Sequence, residues 1–176
     1  MIGAVFSISP NGGMGYKNKL LYYDPEDMKL FKENTKDKVV IMGRATWDSL
    51  PKKPLTDRVN VVVTKEKPLD FLKYENTHFV TVKECDTIVN LCKGILNQTD
   101  VYIIGGARLI NRYKNDLQFL YVSFFNEEKQ ADTFLPTLNL DEFSQTYKEE
   151  FKNFTYREYE KITELDKKVL KCLETK

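Results

Sequence analysis

The chain has 176 residues, enough for one domain with a real core and too few for two comfortable ones. A hydrophobic fraction of 41%, a charged fraction of 30% and a net charge of +1 describe an ordinary globular protein, with no bulk electrostatic case for nucleic acid or a membrane surface. No apolar run approaches a membrane span, and the start MIGAVFSISP lacks the basic and apolar regions of a signal peptide. A single histidine, His78, argues against a metal site, and Cys85, Cys92 and Cys172 without CxxC spacing suit a reducing cytosol.

Ile2 to Ile8 predicts a buried strand. Ser9 to Tyr23 reads as a long irregular loop, and its Met14, Leu20, Leu21 and Tyr22 suit a lid better than a solvated loop. Asp24 is a good N-cap and Pro25 a good first residue for a helix to about Asn34, with Met28, Leu30 and Phe31 apolar. The unbroken run Val39 to Met42 predicts a strand over 38–43 covered on both faces, as in a parallel sheet. A short helix over 45–50, a connector over 51–57 and a strand over 59–64 follow, and 69–74 carries no clear signal. Next come a strand over 77–82, an amphipathic helix over 84–96 with Ile88, Leu91, Cys92 and Ile95 inward, and a central strand over 101–104. Gly105-Gly106 then opens a helix to about Tyr113, and Leu117 to Phe125 is a strand. Phe143–Phe151 and Phe154–Ile162 predict an antiparallel hairpin over Lys152-Asn153. Strands alternating with helices, ending in a hairpin, give an α/β fold with one mixed sheet. In the tail, Leu165, Val169, Cys172 and Leu173 fall on one helical face.

Three features carry chemistry. Asp27 is a lone carboxylate one turn before Phe31; from the residues alone its position near the helix start favours capping of free N–H groups over a catalytic role. Gly43-Arg44-Ala45-Thr46 and Gly105-Gly106-Ala107-Arg108-Leu109 each join a strand to a helix start, where free N–H groups can meet an anion. Five Arg stand against twenty-two Lys, so Arg44, Arg58 and Arg108 are candidates for planar recognition of phosphate or carboxylate.

In order, Gly15, Asn18, Pro25, Asp27, Phe31, Thr35, VVIMGRATWDSL, Pro54-Leu55, Arg58 and IIGGARL closely resemble the dihydrofolate reductase family, from Met1 to about Ile162. The resemblance implies a single α/β domain with a central, mostly parallel eight-stranded mixed sheet, an antiparallel C-terminal strand and about four flanking helices. Residues 163–176 would then add a helical extension to the domain at 1–162. It implies a cytoplasmic, monomeric enzyme reducing 7,8-dihydrofolate to 5,6,7,8-tetrahydrofolate with NADPH, feeding one-carbon metabolism and thymidylate and purine synthesis. Antifolates such as trimethoprim or methotrexate would be ligands, with no nucleic acid, membrane or metal.

By the same resemblance, Asp27 pairs with the pterin's amino and N3 groups, Ser123 braces it, and Tyr22 stands where a tryptophan commonly holds a water near N5. Val5, Phe6, Met28, Phe31, Lys32, Leu50, Leu55 and Ile104 would wall the substrate, and Arg58 would fork onto its α-carboxylate. The cofactor would meet Phe6, Ser7, Met14, Gly15, Asn18 and Leu20 near the lid. Gly43, Arg44, Ala45, Thr46, Val63, Thr64, Lys65, Ile104, Gly105, Gly106, Ala107, Arg108 and Leu109 would hold the rest, with Arg44 and Thr64-Lys65 at the 2′-phosphate. Ser7, Leu21, Tyr22 and Ala131 depart from the usual residues, and Asp57 before Arg58 is a competitor for its guanidinium. Two rivals are the related pyrimidine reductase of riboflavin synthesis, disfavoured by the Asp27–Phe31 pattern and TWDSL, and a non-catalytic protein that kept the fold.

Overall fold

The computed structural model describes residues 1–94 and 100–166. Its strands are β1 (Ile2–Ile8), β2 (Gly13–Tyr16), β3 (Lys19–Leu20), β4 (Val39–Gly43), β5 (Val59–Val63) and β6 (Thr77–Val80), then β7 (Val101–Gly105), β8 (Phe119–Phe125), β9 (Thr133–Phe134), β10 (Phe143–Glu150) and β11 (Phe154–Lys161). Four helices have defined bounds: α1 (Pro25–Thr35), α2 (Arg44–Ser49), α3 (Val82–Gly94) and α4 (Ala107–Tyr113). Eight strands form one sheet in the order β10-β11-β8-β1-β7-β4-β5-β6. Neighbours run parallel except that β11 is antiparallel to both β8 and β10. This is the one mixed sheet that the alternation of elements predicts, in the mostly parallel eight-stranded form that the resemblance implies.

The period-2 direction of strand side chains explains the apolar runs. Ile41, Val61, Val63, Val101 and Ile103 point into one core with Cys85, Val89, Leu109 and Ile110 of α3 and α4. Val40, Met42, Val62 and Tyr102 point into the other, against Trp47 of α2 and Phe31 of α1. Both faces are covered, so no polar alternation appears in these strands.

Several expectations shift. The loop over 9–23 is not wholly irregular, since its β2 and β3 join β9 in a separate three-stranded sheet. Val82 opens α3 rather than closing a strand. Leu91 is 45% exposed, because α3 turns Cys85, Val89 and Cys92 inward instead. Residues 71–73 form a short 3-10 turn where the sequence is silent. Ile95, Leu96 and the tail's Val169, Cys172 and Leu173 lie outside the described residues; Leu165 is exposed.

Candidate active site

The C-terminal ends of β1 and β7 meet α1 and α2 around a cavity of about 370 Å³. A register shift between β4 and β7 pairs Met42 with Gly105, so Ile104 is left over as a bulge and joins the cavity wall. Every side chain expected to wall the substrate lines this cavity: Val5, Phe6, Asp27, Met28, Phe31, Lys32, Leu50, Leu55, Arg58, Ile104 and Ser123.

Asp27 is 7% exposed. Burial pushes its carboxyl above the ordinary carboxylate value, as does nearby Asp24, while a hydrogen bond with Ser123 works in the opposite direction. The capping task falls to Asp24, whose Oδ1 accepts from the N–H groups of Glu26 at 2.9 Å and Asp27 at 3.4 Å. An anion buried in apolar surroundings is costly unless it has partners. A ligand with donors aimed at Asp27 would supply them.

Arg58 marks the other end. It is 8% exposed, and its Nε donates to Thr35 Oγ1 at 2.9 Å. Thr35 is itself fixed by donating to Phe31 O at 2.6 Å. The guanidinium lies 5.7 Å from the Phe31 ring. Burial lowers its pKa from the ordinary arginine value, with Asp57 and Asp37 opposing at a distance. Among the described residues no ion pair joins Arg58 to an acid; the competition expected from Asp57 does not arise in contact form. Asp57 instead adopts a positive φ of 57° and its carbonyl accepts from the Asp37 N–H at 2.7 Å. A buried guanidinium with spare donors fits a carboxylate from outside.

The two glycine turns sit side by side. Gly43 caps α2 and Gly106 caps α4, neither with a side-chain bond to the free N–H groups. A Cβ on Gly43 would lie 3.8 Å from the Gly106 nitrogen, and one on Gly105 would lie 2.9 Å from Thr46 Oγ1. Gly105 has a φ of +137°, which only glycine adopts freely. Backbone donors and a threonine hydroxyl therefore converge with no side chain between them, a cradle suited to a pyrophosphate. Phe6, Ser7, Leu20, Thr46 and Ile104 also line the main cavity, so cradle and cavity are continuous. Ala45, Ala107 and Leu109 belong to these same helix starts, and Val63 ends the neighbouring strand β5, paired with Gly43.

The periphery is less committed. Arg44 is exposed and pairs with Asp48 at 2.9 Å. Thr64 Oγ1 is taken up in its own turn with Glu66, beside exposed Lys65, and Arg108 is exposed. Met14 and Gly15 lie in β2 and Asn18 in the turn between β2 and β3, none of them in the cavity wall. Asp132 braces that sheet by accepting from the Lys17 N–H at 2.8 Å, and its own N–H donates to Gly15 O at 3.0 Å.

Tyr22 departs from its expected place. It does not line the cavity but stacks on Phe125 at 3.8 Å between ring centroids, and its hydroxyl donates to Glu127 O. A phenol needs both apolar contact and a polar partner when buried, and this cluster with Phe154 and Tyr156 supplies both. Its neighbour Tyr23 faces the cavity instead. The sequence reading also missed Leu30, Asn34, Tyr121 and Tyr156 in the wall. Leu30 and Asn34 were accessible from helical spacing, at three and seven residues after Asp27. Tyr121 carried the period-2 signal from Ser123, whereas Tyr156 required the β8–β11 register.

A sequence model of the family described as "Dihydrofolate reductase" matches residues 1–165. A dihydrofolate reductase of Buchnera aphidicola from Acyrthosiphon pisum is 33% identical over 145 residues, covering 82% of this chain and 84% of that protein. A bifunctional dihydrofolate reductase-thymidylate synthase of Arabidopsis thaliana is 32% identical over 141 residues, covering 72% of this chain and 25% of that protein. In fold, the chain resembles the dihydrofolate reductase from Enterococcus faecalis solved with NADP(H) and RAB-propyl. The TM-score is 0.76 at 22% identity, covering 93% of this chain and 97% of that one. With the cavity, its buried acid and the paired glycine turns now placed, the match over 1–165 makes this chain a member of the dihydrofolate reductase family.

Proposed function

We propose that this protein reduces 7,8-dihydrofolate to 5,6,7,8-tetrahydrofolate with NADPH. The observation that carries this reading is the cavity's polarity: a buried carboxylate at Asp27 and, separated from it by apolar wall, a buried guanidinium at Arg58 with no ion-pair partner among the described residues. Dihydrofolate has the matching pattern, with pterin donors at one end and glutamate carboxylate at the other. The comparisons support the same assignment through the family.

Asp27 accepts from the pterin's N3 and amino groups, with Ser123 fixing its orientation. Phe31 and Met28 on α1 and Leu50 and Leu55 opposite exclude water from the ring and benzoyl parts. Arg58, aimed by Thr35, takes the α-carboxylate. Gly43, Thr46, Gly105 and Gly106 hold the cofactor's pyrophosphate, and Arg44 and Lys65 its 2′-phosphate. Bound NADPH supplies a hydride to pterin C6. Asp27, as the acid of the cleft, favours the proton that N5 must gain. The lid sheet β2–β3 closes the mouth through Leu20. Antifolates that carry a protonated aminopyrimidine would take the Asp27 contact in the substrate's place. A cytoplasmic location is consistent with Cys85 and Cys92 being free thiols and with no helix among the described residues being long and apolar enough to cross a membrane.

The test is a steady-state assay with NADPH and dihydrofolate, using NADH as control. Dihydrofolate-dependent oxidation of NADPH, slower with NADH, is expected; oxidation that ignores dihydrofolate would refute the reading.

A further inference from the structure

Among the polar residues of the cavity wall that have no role above are Asn34, Tyr121 and Tyr156. Two periodicities bring them together. Asp27, Leu30 and Asn34 share one face of α1, at helical spacing. On the sheet beneath, Ser123 pairs with Tyr156 and Tyr121 with Glu158, so these four side chains share one face of β8 and β11. The helix face lies along the sheet face. At one end Asp27 meets Ser123. At the other, Asn34 Nδ2 donates to Tyr156 Oη at 2.8 Å, and that hydroxyl donates to Glu158 Oε1 at 2.8 Å. The Tyr156 ring is 6.4 Å from that of Tyr121, which shares a hydrogen bond with Tyr102. Asp27, Asn34 and Tyr156 line the same cavity, so the space between them is continuous.

We propose that Glu158, Tyr156 and Asn34 form a proton inlet to the Asp27 end of the cavity, entering between α1 and β11 rather than through the lid. This rests on the dihydrofolate reading. Each turnover consumes one hydride and one proton, so dihydrofolate, NADPH and H⁺ become tetrahydrofolate and NADP⁺. The hydride comes from the cofactor; the proton comes from solvent while the lid and ligand close the mouth. Glu158 is half-buried at the outer end and can take a proton from solvent. It passes that proton to the Tyr156 oxygen as Tyr156 releases its own to the first of a short file of waters along the α1 side of the cavity, and the last of these delivers a proton to the pterin beside Asp27; the file is needed because Asn34 and Asp27 stand two helical turns, about 10 Å, apart. Tyr156 ends as it began, and Glu158 returns to carboxylate. Asn34 fixes the hydroxyl. Polar partners at both ends satisfy what a buried water requires. Tyr156 is thus a positioning residue for proton delivery.

The titratable groups facing this file are Asp27 and Asp24 at the start of α1, Tyr102 on β7, Tyr121 on β8, Tyr147 on β10 and Glu158 on β11. Burial holds the phenols of Tyr102, Tyr121 and Tyr156 above the ordinary tyrosine value, so they remain protonated and relay without ionising.

The experiment follows a single turnover of hydride transfer from about pH 5 to about pH 9, in H₂O and D₂O, for wild type, Tyr156→Phe and Glu158→Gln. Both variants should keep the KM of NADPH and of dihydrofolate within about twofold. Their rates should fall about tenfold at the alkaline end, recover toward wild type at the acid end, and show a larger solvent isotope effect. If Tyr156→Phe fails to fold, Glu158→Gln carries the test alone. Wild-type pH profiles and isotope effects in the variants, or a loss equal at every pH, would overturn the inlet. A wild type that does not oxidise NADPH in response to dihydrofolate would overturn the functional reading, and the inlet with it.

Discussion

Asp24 Oδ1 accepts from the Asp27 N–H at 3.4 Å, so the residue that caps α1 and the residue that faces the cavity are two different acids, three positions apart. Asp24 is further fixed by accepting from Asn153 Nδ2 at 2.8 Å. That bond and the α1 N–H groups hold its carboxyl below the ordinary carboxylate value. A carboxyl lowered in the folded state stabilises above its unfolded value and loses that contribution as pH falls through the folded value. Asp24→Ala should therefore cost about 0.5–2 kcal/mol at neutral pH, with the difference from wild type shrinking in acid below the unfolded value of 3.8. Denaturant melts at neutral and acid pH check this.

Arg58 is poised by Thr35 and, among the described residues, paired with no acid. Replacing it with Leu should raise the KM of dihydrofolate by the order of 1.5–3 kcal/mol, the worth of hydrogen bonds to a charged group, with the KM of NADPH nearly unchanged. A pterin substrate lacking the glutamate should lose its disadvantage in the variant. Equal discrimination in both proteins would remove Arg58 from the carboxylate site.

Arg44 is held by Asp48 in an exposed pair, which stabilises little and can be exchanged for a better anion. Arg44→Leu should raise the KM of NADPH by about 1–3 kcal/mol and leave that of NADH nearly unchanged, since only NADPH has the 2′-phosphate. Parallel changes with both cofactors would contradict the assignment.

Gly105→Ala should destabilise the protein by about 1–3 kcal/mol, because alanine would adopt the +137° φ only with strain and would press on Thr46 Oγ1 at 2.9 Å. Thr46→Ser, which retains the hydroxyl, should leave stability near wild type. Thermal melts compare the two.

The sheet was legible because its strands are covered on both faces, so Val39–Met42 and Val61–Val63 are unbroken apolar runs. The capping signal at Asp24-Pro25 placed α1 correctly to within a residue of its end. The lid sheet was not legible, since Lys19–Leu20 and Thr133–Phe134 are two-residue strands far apart in sequence, too short for any period to register. The same holds for Tyr22. Its stacking partner Phe125 lies in another element, and nothing local to Tyr22 says that Tyr23 should face the cavity instead. The glycine turns were visible as motifs, but their adjacency depends on the β4–β7 pairing.

The most direct test of the account is a pH–rate profile of Asp27→Asn beside wild type, with a thermal melt of each. Burial raises the Asp27 carboxyl, so folding binds its proton more tightly than the unfolded chain does. Its stability contribution is complete below the unfolded value of 3.8 and is lost as pH rises through the folded value. Asn lacks that burden, so the variant should melt at the same or a higher temperature at neutral pH, with the gap closing in acid. Its turnover near neutral pH should fall by ~10²–10⁴, the usual worth of acid–base assistance, and recover in part at low pH, where solvent protonates the substrate. A variant that turns over dihydrofolate like wild type at neutral pH yet melts earlier would contradict the account, making Asp27 a structural residue and placing the chemistry elsewhere.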